Sequence, residues 1–327
     1  MGYSAEVYAA ANRTLEQRRE ASREALRRRR AEIDARLPEV RRLEEELAQT
    51  AIAVTRAVMT SNDDKGLLEG LRLRGEQVLE QKAQLLRTAG YPADYLEERH
   101  VCERCQDRGT VNGRRCVCMD EALREAAAAE LDAVSGVGRV RFADFSLDYY
   151  PVERDPRSGA SPRLMMERLV EYCREYAANF RPGAENLFFT GGPGLGKTYL
   201  SLALAYAVSD RGYGVIYGSA ADLLGSIERE HFERGNDRAQ LERLLAADFL
   251  VLDDVGAEFT NSFTVSALFN LVNTRMQRSN PTLISTNLSL KGIGERYGER
   301  FVSRIVGCYR IQGFLGQDIR QQKALGK

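Results

Sequence analysis

An apolar segment, Leu187-Phe188-Phe189-Thr190, runs straight into Gly191-Gly192-Pro193-Gly194-Leu195-Gly196-Lys197-Thr198, and a helical pattern follows from Tyr199 to Ser209. The spacing is G-x-x-x-x-G-K-[ST], set between a strand and a helix as a phosphate-binding loop requires. A loop nearly free of side chains can turn its backbone N–H groups onto phosphate oxygens. The helix behind it adds the positive end of its dipole. Lys197 is then expected to reach the β- and γ-phosphates of ATP as a point charge, and the Thr198 hydroxyl to meet Mg²⁺. The expected nucleotide cradle is Gly191, Gly192, Pro193, Gly194, Leu195, Gly196, Lys197, Thr198 and Tyr199.

A second segment supports the first. Phe249-Leu250-Val251-Leu252-Asp253-Asp254 is a continuous apolar run ending in two carboxylates, the pattern of a strand buried on both faces of a parallel sheet. Asp253 is the expected Mg²⁺ carboxylate, and Asp254 the residue that orients or activates the attacking water. A third strand, Thr282-Leu283-Ile284-Ser285-Thr286, ends in Asn287. Its amide is suited to hold that water or touch the γ-phosphate. Farther on, Glu295 to Ile305 presents arginines at helical spacing. An arginine delivered to the γ-phosphate of a neighbouring copy stabilises transition-state charge; Arg304 is the expected donor, with Arg300 its competitor. Helical and strand patterns alternate from Leu164 to a closing strand near Tyr309-Arg310-Ile311, as in a three-layer parallel α/β sheet.

Cysteine placement divides the rest of the chain. Four of the six lie together as Cys102-x2-Cys105-x10-Cys116-x-Cys118, and thiolates so spaced can close a tetrahedral Zn²⁺ site of structural type. One pair is expected on a turn and the other on a returning hairpin, with Gly109 and Asn112-Gly113 as turn residues. Before this knuckle the pattern is helical and highly charged. An apolar seam steps through Ile33, Leu37, Val40, Leu47, Val54 and Val58. Pro38 is expected to open a new helix at its first turn, and a further helix to run from Lys65 to Thr88. The run Arg27-Arg28-Arg29-Arg30 reads as a solvated helix face. So do Arg229, His231 and Arg234, as a charged helical insert. A helix from Asp120 to Val134 should follow the knuckle, and the aromatic stretch Arg141 to Pro151 suits either the edge of the nucleotide pocket or the core.

The expected organisation is therefore residues 1–98 as a helical partner-binding region, 99–135 as a four-cysteine zinc knuckle with a linker helix, and 136–327 as the ATPase domain. The 327 residues carry a formal net charge of zero, so any contact with nucleic acid must come from local patches and not from bulk charge. No apolar run approaches the length of a membrane span, and Met1-Gly2-Tyr3-Ser4 lacks a signal-peptide core; a cytoplasmic location without membrane partners is expected.

The phosphate loop, Leu252-Asp253-Asp254-Val255-Gly256-Ala257-Glu258, Ser285-Thr286-Asn287, Glu299-Arg300-Phe301-Val302-Ser303-Arg304-Ile305 and Gly316-Gln317-Asp318-Ile319-Arg320 together resemble the AAA+ ATPases of the DnaC/DnaI replicative helicase-loader type. IstB-like ATPases that assist transposases share this core. The likeness covers roughly residues 140–327, and the helical region with its knuckle is similar, more loosely, to the helicase-binding part of DnaI-like loaders. The resemblance implies assembly of the ATPase part on single-stranded DNA and a grip on the replicative helicase by the amino-terminal part. It also implies Asp253 as the Mg²⁺ carboxylate, Asn287 as the sensor residue, Arg304 as the arginine acting in trans between copies, and Arg320 as a late phosphate-sensing arginine. Asp254 stands where many such motors have Glu, which implies slow hydrolysis: a switch more than an engine. A nucleotide-binding adaptor with little turnover is the third reading.

Overall fold

The computed structural model describes residues 2–60, 65–156, 159–233 and 239–326; Arg234 of the charged insert lies outside them. The chain divides into two compact units, Arg13–Met119 and Met1–Asn12 with Asp120–Lys327. No described helix is long and apolar enough to cross a membrane.

Three long helices begin the chain: α1 (Ala5–Arg36), α2 (Pro38–Thr60) and α3 (Lys65–Thr88). Pro38 opens α2, where its missing N–H has no helical partner to lose. Helices α2 and α3 lie side by side, tied by Lys82 to Glu44 at 2.6 Å and Arg74 to Glu46. Ile33 and Val40 are buried with Leu86 and Leu96, as the seam implies. Val58 departs from it: its side chain is exposed and Ala57 is the buried neighbour. A straight helix of 3.6 residues per turn drifts off a seven-residue repeat, so the inward position slips by one.

The knuckle is a short hairpin, β1 (Thr110–Val111) and β2 (Arg114–Arg115), paired antiparallel. Asn112 and Gly113 both have positive φ, 51° and 74°, the turn that matches strand twist. Helix α4 (Val117–Ser135) starts three residues earlier than its sequence pattern suggests. Cys118 consequently sits in the first helical turn and not on the hairpin.

The second unit is built on a five-stranded parallel sheet in the order β4-β5-β6-β3-β7. Its strands are β3 (Asn186–Thr190), β4 (Val215–Ser219), β5 (Phe249–Asp253), β6 (Thr282–Thr286) and β7 (Tyr309–Gly313). Helix α5 (Pro162–Ala178) precedes β3, and the helices between the strands are α6 (Lys197–Asp210), α7 (Ala220–Glu233), α8 (Ala239–Ala246), α9 (Ser262–Gln277), α10 (Leu290–Tyr297) and α11 (Glu299–Cys308). A short α12 (Ile319–Ala324) follows β7. Successive strand residues point to opposite faces. Leu187, Phe189, Val251 and Leu283 therefore join Met166, Cys173 and Leu204 in one core layer, while Phe188, Leu250, Leu252 and Ile284 join Leu268, Leu271 and Phe301 in the other.

Two anchors fix the loops around this sheet. Arg275 is fully buried and donates to Thr282 Oγ1 and to the carbonyls of Leu244, Ala247 and Pro281. Asn261 caps α9 by accepting the Thr264 N–H at 2.8 Å, and Thr264 returns a bond to the Asn261 N–H. With the strands parallel, all their carboxyl ends gather at one edge, and that is where an open α/β sheet binds ligands.

Candidate nucleotide site

The phosphate loop connects β3 to α6 at this edge. Gly194 and Gly196 adopt φ of 71° and 85°, which residues bearing a Cβ disfavour. At Gly194 a Cβ would come within 2.0 Å of the Asp318 carboxylate. The chain after β7 crosses the loop there: Phe314 N–H donates to Thr190 O at 2.8 Å, and Ile319 N–H to Gly194 O at 2.9 Å. Tyr150, fully buried, donates to Leu195 O at 2.8 Å. The aromatic stretch thus serves both readings, since Phe145 and Tyr149 face the same cavity that Tyr150 supports from the core.

That cavity has a volume of about 560 Å³. The loop residues Pro193 to Tyr199 line it together with Asp254, Asn287 and Arg320. Lys197 points back over its own loop, donating at 2.7 Å to Gly191 O, to Gly192 O and to Asn287 Oδ1. Asn287 in turn donates from Nδ2 to Asp254 Oδ1 at 2.6 Å. Three motifs far apart in sequence thus meet in one hydrogen-bonded chain, Lys197–Asn287–Asp254. Burial lowers the Lys197 ammonium from its ordinary pKa against the pull of Asp254 and Asp253. Burial and the neighbouring Asp253 carboxylate raise Asp254 from its own.

Asp253 lies behind this chain and is 6% exposed. Its carboxylate accepts from Tyr217 at 2.8 Å and from Ser285 Oγ. Two hydroxyl donors orient it. Asp253 and the exposed Thr198 hydroxyl make an all-oxygen donor pair, which suits Mg²⁺. Tyr217 and Ser285 were not legible as site residues. The signal for both is register, because Ser219 pairs with Asp253 and Leu252 with Ile284, which brings their neighbours alongside the carboxylate.

Arg300 and Arg304 are exposed on α11 and do not join the lining of this cavity. Arg320 does. His231, on α7, meets Phe232 edge-on and Phe263 at a tilt, with ring centroids 5.1 Å from each.

In the other unit the four cysteine sulfurs lie within 4.8 Å of one another. Cys102 and Cys116 are 3.7 Å apart, and Cys105 and Cys118 3.2 Å. Four thiolates at about 2.3 Å from a tetrahedral zinc would be separated by about 3.8 Å, so the cluster fits the ion. Asp107, fully buried, holds the first ligand turn by accepting the N–H groups of Val101 and Cys102, each at 3.0 Å.

The parallel sheet, the phosphate loop and the acid-tipped strand define a phosphate-loop nucleotide-binding domain of the α/β class. Residues 166–306 match the family described as IstB-like ATP binding protein. The chain is also similar to replicative helicase loaders: 25% identity over 189 residues with DnaC of Buchnera aphidicola (subsp. Baizongia pistaciae), covering 56% of this chain and 72% of that one. The "putative ATP-binding protein" of insertion sequence IS21 from Pseudomonas aeruginosa is 26% identical over 167 residues, 45% of this chain and 62% of that one. Among solved structures, the crystal structure of the DnaC helicase loader aligns at 26% identity and a TM-score of 0.44, covering 53% of this chain and 98% of that one.

Proposed function

We propose that this chain is an ATP-dependent loader that places a replicative DNA helicase on single-stranded DNA, with ATP binding and slow hydrolysis as its assembly switch. The observation that carries the switch is the chain Lys197–Asn287–Asp254. An ammonium has three protons to donate, and Lys197 directs all three to protein oxygens. A γ-phosphate can compete for them, and whatever moves Lys197 also frees the Oδ1 of Asn287, the residue that holds Asp254. Nucleotide occupancy is thereby linked to the residue assigned to the attacking water.

In this reading Gly191 to Tyr199 cradle the nucleotide, and Asp254 orients and deprotonates water. Asn287 senses the γ-phosphate, and Arg304 acts on a neighbouring copy. Thr198 and Asp253 would hold Mg²⁺, which when bound neutralises charge on the β- and γ-phosphate oxygens. Residues 1–98 would grip the helicase, the four-cysteine knuckle would hold structural zinc, and the work would be cytoplasmic. The names of the DnaC relatives support the client.

The IstB-like match supports a second reading, an ATPase that assists a transposase. A pull-down with the full chain against the host's replicative helicase and its transposases, in ATP and in ADP, separates the two. ATP-dependent capture of the helicase supports the loader. Capture of a transposase alone replaces it.

A further inference from the structure

The loop that follows β5 carries one more carboxylate. Glu258 is 4% exposed, and a buried carboxylate is costly unless its oxygens find donors. Oε2 accepts the Gly256 N–H at 2.8 Å, and Oε1 accepts the Tyr297 hydroxyl. The Glu258 main-chain oxygen accepts from Arg296. Arg296 and Tyr297 are the last residues of α10, and Gly298 alone separates them from α11, which carries Arg300 and Arg304.

The same loop begins at Asp254, whose φ of 54° lies in the left-handed region. A residue with a Cβ stays there only when its surroundings hold it. The near end of the loop is held by β6, through Asp254 N–H to Ser285 Oγ at 3.0 Å and Val255 N–H to Ser285 O at 2.8 Å. Glu258 holds the far end. Between the two anchors the loop has little freedom to turn Asp254 away from Asn287.

We propose that Glu258 is a positioning residue: it clamps the Asp254 loop to Tyr297, fixing the Asp254 carboxylate at the nucleotide cavity and tying its placement to the arginine-bearing helix. This rests on the ATPase reading above, since it assigns Glu258 a role through Asp254. The clamp works by hydrogen-bond geometry. Gln keeps the side-chain shape, still accepts from Gly256 and can donate to the Tyr297 oxygen, whereas Ala loses both bonds.

The test uses the full chain as wild type, E258A, E258Q, Y297F and D254N. Affinity for a fluorescent non-hydrolysable ATP analogue and DNA-stimulated ATP turnover are measured on each. E258A is expected to lower kcat about 10- to 100-fold with affinity within about twofold, the effect of a misplaced reacting group. E258Q should recover most of the loss, and Y297F should fall between. Wild-type kcat in E258A beside an inactive D254N overturns the clamp and leaves the ATPase reading standing. Wild-type kcat in D254N overturns the assignment of Asp254 itself. Equal loss of affinity and kcat in E258A, unrecovered in E258Q, also overturns the clamp, since it marks a general support of the fold.

Discussion

The Lys197 ammonium donates to the Asn287 side-chain oxygen at 2.7 Å across 90 residues of sequence, so the phosphate loop and the tip of β6 hold each other directly. Asn287 passes the contact on to Asp254 at 2.6 Å. Replacing Asn287 by Ala should leave nucleotide affinity nearly unchanged and lower turnover about 100-fold, as loss of a fixed donor in an active site does. Equilibrium binding and steady-state phosphate release on the same preparation decide it. A parallel fall in affinity would make Asn287 a binding residue only.

The Tyr217 hydroxyl on Asp253 is a support for the assigned Mg²⁺ carboxylate. Tyr217→Phe removes that donor while filling the same space. It should weaken Mg²⁺ dependence of nucleotide binding about 10-fold, within the range for residues that orient a ligand. Titration of Mg²⁺ at fixed nucleotide reads this directly.

Gly194→Ala would place a methyl group on the Asp318 carboxylate. We expect weaker nucleotide binding and a lower melting temperature, with part of the loss recovered by adding Asp318→Ala. The left-handed φ at position 194 remains costly in the double variant, at about 1–2 kcal/mol for a residue with a Cβ. Thermal melts of the three variants test the cycle; no recovery would show that strain, not overlap, dominates.

If the cysteine cluster holds zinc, the purified chain should contain one equivalent, and Cys105→Ser should lose it. Structural zinc sites contribute about 10–16 kcal/mol of apparent binding energy. Protease cleavage should then spread through residues 13–119 while nucleotide affinity in the other unit stays near wild type. A wild-type chain that takes up no zinc from supplemented medium would end this assignment.

Arg304→Ala should preserve ATP binding by the isolated chain and remove most of the hydrolysis that assembly stimulates. The loss should be on the order of 1000-fold or more if the arginine acts as a finger in trans. Mixing the variant with Lys197→Ala chains should restore part of the activity, because each supplies what the other lacks. Failure of that mixture, with Arg300→Ala behaving as predicted for Arg304, would transfer the role to Arg300.

Much of this architecture is local information. The β3 run is apolar at Leu187, Phe188 and Phe189, and the glycines and Lys197 follow at fixed spacing, because the phosphate loop is made within one turn of chain. The start of α2 at Pro38 and the bounds of α3 are legible for the same reason: cap and proline preferences act over a few residues. Where local signals weaken, sequence pattern and structure part. Val58 turned outward because a seven-residue repeat cannot keep step with a straight helix, and Cys118 fell on a helix because α4 begins as soon as the hairpin closes.

By itself the sequence determined the elements of the sheet, the phosphate loop between β3 and α6, the acidic end of β5 and the grouping of four cysteines. Only the tertiary structure decided what surrounds each of them. Tyr217 and Ser285 reach Asp253 through strand register, Asp318 crosses Gly194 because the chain after β7 returns over the loop, and Glu258 meets Tyr297 across 39 residues. Those contacts depend on which strand lies beside which, and a short polar side chain carries no periodic signal of its eventual partner.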